Sequence, residues 1–220
     1  MDQDALKLAV ARAALEEVPQ GAIVGIGSGS TVARFIEVLG QRPDRVAGAV
    51  SSSERSSVLL REQGIPVLDV AAVDHLPVYI DGADELDPGL HAIKGGGGAL
   101  TREKILAEMA DRFVCIVDAS KQVSELGRFP LPVEVIALAI PLITRRFARL
   151  GAQAVLRPGG LTDNGHPILD VRGLVITDPV ALEREINQWP GVITVGLFAQ
   201  RHADLALVAH PSGSITRLLP

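Results

Sequence analysis

Glycines, hydroxyls and charges gather in four short stretches of this 220-residue chain. The first is Gly25-Ile26-Gly27-Ser28-Gly29-Ser30-Thr31. Its glycines let the backbone approach a ligand closely, and its hydroxyls and helix-start N–H groups suit an anion. It is not a dinucleotide loop, because Gly25 and Gly27 would need a glycine at position 30, which is Ser30. No Gly-Lys-Ser/Thr follows, so it is not a nucleoside-triphosphate loop either. A plain strand-to-helix turn capped by Ser or Thr accounts for it as well. The second stretch is Asp81-Gly82-Ala83-Asp84-Glu85, three carboxylates in five residues. Like charges held close raise the pKa of at least one carboxyl and make it usable as an acid near neutral pH. Solvated acids at a turn are the plainer alternative.

The third stretch is Lys94-Gly95-Gly96-Gly97-Gly98-Ala99-Leu100. A turn needs one or two glycines, and four in a row suggest a nest of N–H groups converging on an oxygen, with Lys94 as a point charge beside it. The alternative is a flexible linker, against which stands the well-patterned helix that follows at once. The fourth is Glu103 among Thr101, Arg102 and Lys104, in the first turn of that helix. An acid favoured there by the helix dipole would need no other role. Lys7, in the first helix, and Lys121, after Asp118-Ala119-Ser120, complete the set of cations near strand or helix ends.

Composition excludes several other chemistries. Cys115 is the single cysteine, in the apolar run Phe113–Val117, so no intrachain disulfide or Cys-rich metal site can form and the thiol reads as a buried small hydrophobe. The histidines 75, 91, 166, 202 and 210 have no metal-ligand spacing. The net charge is −5 with no basic stripe, which disfavours nucleic acid. The N-terminal Met-Asp-Gln-Asp-Ala lacks a signal-peptide pattern, and no apolar run nears the roughly 20 residues that span a bilayer. A cytoplasmic protein without membrane contact is expected.

The elements that must position these residues follow from periodicity. Helical spacing is expected over 4–16, 31–39, 53–63, 99–110, 139–150 and 178–188. Strands are expected at 22–27, 46–50, 66–70, 78–81, 113–118, 132–137, 153–157, 168–172, 192–199 and 204–209. Alternating strands and helices predict an α/β fold, a mostly parallel Rossmann-like sheet with helices on both faces. After Phe129-Pro130-Leu131-Pro132 the order becomes β-α-β-β-α-β, that of a smaller ferredoxin-like α+β domain, with Thr162-Asp163-Asn164-Gly165 as its turn. The expected domains are 1–130, completed by a C-terminal strand at about 203–220, and 131–202. In an open parallel sheet, ligands bind beyond the carboxyl ends of the strands, where these polar stretches mostly fall.

An aldose–ketose exchange needs a carboxylate base, oxyanion donors, acids that move protons between two oxygens, and a phosphate clamp. The stretches supply one of each. Together with Ala49–Ser53, Asp118–Lys121, Phe129–Val135, Thr162–Gly165 and Pro190–Phe198, and with the third extended to Lys104, they resemble the type A ribose-5-phosphate isomerases. The resemblance runs in order over essentially the whole chain; Ser28 departs from it, where the family often has Thr. It implies a cofactor-free, metal-free enzyme that interconverts D-ribose 5-phosphate and D-ribulose 5-phosphate through an enediolate. Glu103 would be the base. Asp81 and Asp84 would assist ring opening and proton movement between oxygens, and Lys94 with the backbone of Gly95, Gly96 and Gly97 would hold the enediolate oxygens. Ser28, Gly29, Ser30 and Thr31, with Lys7 and Lys121, would grip substrate, mostly at its phosphate, and Gly82 and Ala83 would line it. The family's place is the non-oxidative pentose phosphate pathway. A homodimer or homotetramer is implied, with 131–202 taking part in its contacts. Two other readings stand beside this one: a coenzyme A transferase-like enzyme with Glu103 as nucleophile, and a non-enzymatic sugar-phosphate sensor.

Overall fold

The computed structural model describes residues 2–220, so Met1, the start of the expected first domain, lies outside the described residues. In chain order come α1 (Gln3–Leu15), β1 (Ala22–Ile26), α2 (Gly29–Gly40), β2 (Val46–Ser51), α3 (Glu54–Glu62), β3 (Tyr79–Asp81), β4 (Glu85–Leu86), β5 (Ala92–Ile93), α4 (Leu100–Met109) and β6 (Phe113–Asp118). Then follow β7 (Leu131–Val135), α5 (Ile140–Arg149), β8 (Gln153–Leu156), β9 (Ile168–Arg172), α6 (Pro179–Asn187), β10 (Val192–Val195), β11 (Leu197–Phe198), β12 (Leu205–Ala209) and β13 (Ile215–Leu218).

The chain forms two compact units: residues up to 83 with 102–122 and 203–220, and residues 84–101 with 123–202. The spans expected from sequence are 1–130 with about 203–220, and 131–202. The excursion 84–101 groups with the second unit because β4 and β5 join β11 in a three-stranded antiparallel sheet.

The first unit carries a six-stranded sheet of order β13-β12-β6-β3-β1-β2, parallel except for the edge strand β13. Its inner strands β6 and β12 are buried at every residue, as strands covered on both faces must be. α2 follows its expected spacing and buries Val32, Phe35, Ile36 and Leu39 against a core that includes Val10, Val24, Ile80 and Val114. β1 pairs with β2 on one side and β3 on the other, so the strand order reverses between β1 and β3. The loops leaving β1 and β3 carry Ser28 and Gly82, at the switch point where open sheets bind ligands.

The expected strand 66–70 does not form. Val67 makes only an isolated bridge to Ala49, and a 3-10 turn capped by Asp69 follows at Val70–Ala72. Pro66 has no N–H for a ladder, and much of the run is exposed. The expected strand 192–199 breaks at Gly196 into β10 and β11, which belong to different sheets. A Cβ at Gly196 would lie 2.3 Å from the Lys94 carbonyl, a backbone crossing that only glycine permits.

The second unit realises the ferredoxin-like order. β7-α5-β8-β9-α6-β10 builds an antiparallel sheet of order β10-β7-β9-β8 over a core of Val133, Val135, Ile143, Phe147, Leu169 and Val195. Phe147 and Trp189 pack with ring centroids 4.9 Å apart. Among the described residues, no helix is long and apolar enough to cross a membrane, and no group of three or more His, Cys, Asp or Glu residues could hold a metal ion.

Candidate active site

In the first unit, Asp81 ends β3 completely buried. One of its oxygens accepts from the N–H groups of Ser28 at 3.0 Å and Gly82 at 2.7 Å; the other accepts from the Tyr79 hydroxyl. Tyr79 and Asp81 sit two apart on one strand, so their side chains share a face. Burial is the main reason the Tyr79 phenol is pushed well above its ordinary value of 10.0, followed by the charges of Asp81 and Glu103. It therefore stays a neutral donor.

Ser28 is the second hinge of this set. It precedes α2 in an extended conformation, but its hydroxyl does not cap the helix. The hydroxyl donates instead to Glu103, at 2.6 Å. Glu103, in the first turn of α4, is only 3% exposed, which removes the reading of a solvated helix acid. Ser28, Asp81, Gly82 and Glu103 are thus one hydrogen-bonded set. Gly27 makes it possible: a Cβ there would fall 1.9 Å from the Asp81 carboxyl carbon. The Gly27 carbonyl is held in turn by the Ser56 hydroxyl at 2.8 Å, and Ser53 caps α3 by accepting from Ser56 N–H. Ser53 and Ser56 thus fix the loop after β2.

Gly29 and Ser30 are exposed and Thr31 is half-buried at the start of α2, with Gly29 in the left-handed region at φ +90°. Lys7 is half-buried beside Leu6 on α1, and Lys121 is half-buried in the 3-10 turn after β6 that Asp118 caps. The hydrogen-bonded set forms without these residues.

The second unit holds the remainder. Ala83, which ends the opening span of the first unit, is half-buried. Asp84 accepts from Gly96 N–H at 2.8 Å. Glu85 takes the N–H groups of Gly127 and Phe129, at 2.7 and 2.5 Å. The carboxylate crowding read from Asp81 to Glu85 therefore resolves into separate hydrogen-bond sets, and Glu85 is an anchor for the 127–129 segment. Lys94 is 3% exposed, its N–H donates to Gly196 and its ammonium lies 5.3 Å from the Phe198 ring centroid, a cation–π contact. Gly95 is buried at φ +105°, while Gly96 and Gly97 are exposed.

Tyr79, Glu134 and Arg157 escape a reading of the sequence. Glu134, fully buried on β7, accepts from the hydroxyls of Thr101 and of Thr162, the latter at 2.8 Å, so it ties the Thr162–Gly165 turn to the start of α4. Arg157 pairs with Asp170 and reaches the carbonyls of Gly95 and Gly96. Tyr79 had a visible signal in the alternation of β3; the other two act across dozens of residues and left none. Cys115 is buried, as expected of a small hydrophobe.

A buried carboxylate beside hydroxyl donors, with a second carboxylate locked by amides, can take a carbon-bound proton. Comparison with known proteins narrows that chemistry. The family model of ribose 5-phosphate isomerase A (phosphoriboisomerase A) matches residues 48–213. The ribose-5-phosphate isomerase A of Methylibium petroleiphilum is 62% identical over 213 residues, 97% of each chain. A crystal structure of ribose 5-phosphate isomerase A from Neisseria gonorrhoeae matches with TM-score 0.97 and 45% identity, covering 100% of this chain and 98% of that one. A D-ribose-5-phosphate isomerase in complex with phospho-erythronic acid matches with TM-score 0.96 and 37% identity over 100% of both chains.

Proposed function

The chain belongs to the ribose 5-phosphate isomerase A family, and from that premise we propose that it interconverts D-ribose 5-phosphate and D-ribulose 5-phosphate without a cofactor, in the non-oxidative pentose phosphate pathway. The observation that carries this is the buried Glu103 carboxylate, linked through Ser28 to Asp81. The Glu103 carboxylate takes the proton from C2 of the open-chain aldose. The electron pair moves to make the enediolate, and Glu103, whose newly acquired proton can exchange with solvent, protonates C1. A hydroxyl proton passes from O2 to O1. Asp81 and Asp84 assist that passage and ring opening. Lys94 and the N–H groups of Gly95, Gly96 and Gly97 hold the developing oxyanion, with stabilisation greatest in the transition state. Gly29, Ser30 and Thr31 at a helix start, with Lys7 and Lys121, take the phosphate, while Gly82 and Ala83 line the sugar. Ser28 contributes through Glu103, since its hydroxyl is already donated there.

Phospho-erythronic acid, the ligand of one relative, has a planar carboxyl next to a hydroxylated carbon, the shape of the enediolate oxygens. The same arrangement is expected to fit here. The coenzyme A transferase and sensor readings find no support among these isomerase relatives. Assembly as a homodimer or homotetramer through residues 131–202 is part of the proposal, as is a cytoplasmic location. In the second unit Leu138 is 91% exposed beside Ile136 and Leu142, which line an apolar hollow of about 320 Å³ with Pro190 and Gly191. Such a face favours a protein partner. The direct test is conversion of ribose 5-phosphate in the presence of a chelator, with arabinose 5-phosphate as inhibitor. Turnover is expected; its absence, or binding without product, would favour a sensor.

A further inference from the structure

Resting on the isomerase reading above, we propose that Arg157 is a positioning residue, which aims the glycine-loop amides and Asp84 at the developing oxyanion. The observation is confined to the second unit. Arg157 follows β8, and its Nε and Nη2 grip both oxygens of Asp170 on β9 at 2.9 and 2.6 Å, with each side chain about a quarter exposed or less. This two-pronged pairing fixes the guanidinium plane. The remaining nitrogen, Nη1, donates to the carbonyl of Gly95 at 2.9 Å and to that of Gly96 at 3.2 Å.

The Gly95 carbonyl and the Gly96 N–H are opposite poles of one peptide plane. Arg157 holds the first pole and Asp84 Oδ2 the second, at 2.8 Å. That plane is pinned from both ends, and Asp84 is oriented by the same pin. In the next plane Arg157 holds the Gly96 carbonyl. A trans peptide points its N–H opposite to its C=O, so the Gly97 N–H is turned away from Arg157. Glycine backbones have no side chain to restrict them; within the loop Gly98 N–H donates to the Gly95 carbonyl at 3.0 Å, and partners outside the loop set the remaining planes. Arg157 does so from 62 and 61 residues downstream of Gly95 and Gly96, by way of a salt bridge that touches no substrate group in this scheme. Oxyanion donors act through pre-set geometry, and a displacement of about 1 Å can cost about 10²-fold in rate.

Arg157→Met, Arg157→Lys and Asp170→Asn test this in the full-length protein. The readouts are kcat and KM for ribose 5-phosphate, inhibition by phospho-erythronic acid and by inorganic phosphate, and thermal melting. For Arg157→Met, kcat should fall about 10²-fold with KM within about threefold. Phospho-erythronic acid should lose affinity by nearly the factor lost in kcat/KM, while inorganic phosphate binds as before, because only the planar end of the analogue meets the loop. Arg157→Lys should recover little, since an ammonium cannot span Asp170 and two carbonyls. Asp170→Asn should lose about tenfold in kcat. A kcat for Arg157→Met within twofold of wild type, a loss carried wholly in KM, or equal weakening of both inhibitors would overturn the proposal. Should Arg157→Met fail to fold, an unaltered kcat in Asp170→Asn would overturn it. A wild-type protein inactive on ribose 5-phosphate would sink the isomerase reading and this proposal with it; an active wild type with an unimpaired Arg157→Met sinks this proposal alone.

Discussion

Ser28 donates its hydroxyl to Glu103 and its N–H to Asp81, so the first residue of the expected phosphate grip joins the two carboxylates proposed as acid and base. Tyr79 serves the same pair from the strand. Removing its hydroxyl takes away one hydrogen bond to a buried charged group, which costs about 1.5–3 kcal/mol. Tyr79→Phe is therefore expected to unfold more easily at neutral pH. The sign of its pH dependence also follows. The folded phenol stays protonated above its ordinary value of 10.0, whereas the unfolded chain loses that proton near 10.0. The unfolded state then binds fewer protons, so the Tyr79 contribution is complete below pH 10 and is lost as pH climbs past it. Tyr79 is the only tyrosine. Melting curves of wild type and Tyr79→Phe should draw together above pH 10; a gap that stays constant or widens there would contradict the buried neutral phenol.

At the scale of elements, glycines permit the close approaches that the site needs. Gly27→Ala would drive a methyl to 1.9 Å from the Asp81 carboxyl carbon, between β1 and β3, where Asp81 is fully buried and held by amides. Gly96→Ala would meet Asp84 at 2.6 Å, but Asp84 is half-exposed and can turn aside. Both should lose activity. Only Gly27→Ala should also lose stability, by about 1–3 kcal/mol, as denaturant titration would reveal. Much of this architecture is legible in the chain. The 3.6-residue spacing of Val32, Phe35, Ile36 and Leu39 gives α2, and the unbroken apolar run Phe113–Val117 gives β6. The polar stretches stand at strand ends because the fold class requires it. Short β4, β5 and the split at Gly196 were not legible, since two-residue strands have no period and exist only through pairing with one another. The run 66–70 has the apolar content of a strand but begins at Pro66, which has no N–H for a ladder, and it makes only the isolated Val67–Ala49 bridge. Within the site, residue types were readable, while the Ser28–Glu103 bond, spanning 75 positions, was not.

At the scale of the whole molecule, ends distant in sequence are stitched within the first unit. Glu17, just after α1, takes Arg217 of β13 and Arg112 before β6. Its carboxyl is raised by burial, but the two guanidiniums outweigh this and hold it below its ordinary 4.5. In the second unit, the exposed Leu138 offers a test of the proposed assembly. Leu138→Glu is expected to shift the protein toward monomer in light scattering, and an unchanged mass would remove that face from the interface. The claim on which all else rests is that Glu103 carries a proton between adjacent carbons. It is tested most directly by proton NMR of ribose 5-phosphate brought to equilibrium in deuterium oxide with chelator present. The wild type should place deuterium at C1 of the ketose and C2 of the aldose, and Glu103→Gln should slow that exchange by about 10²-fold or more. Isomerisation without deuterium uptake, or undiminished exchange in Glu103→Gln, would contradict it.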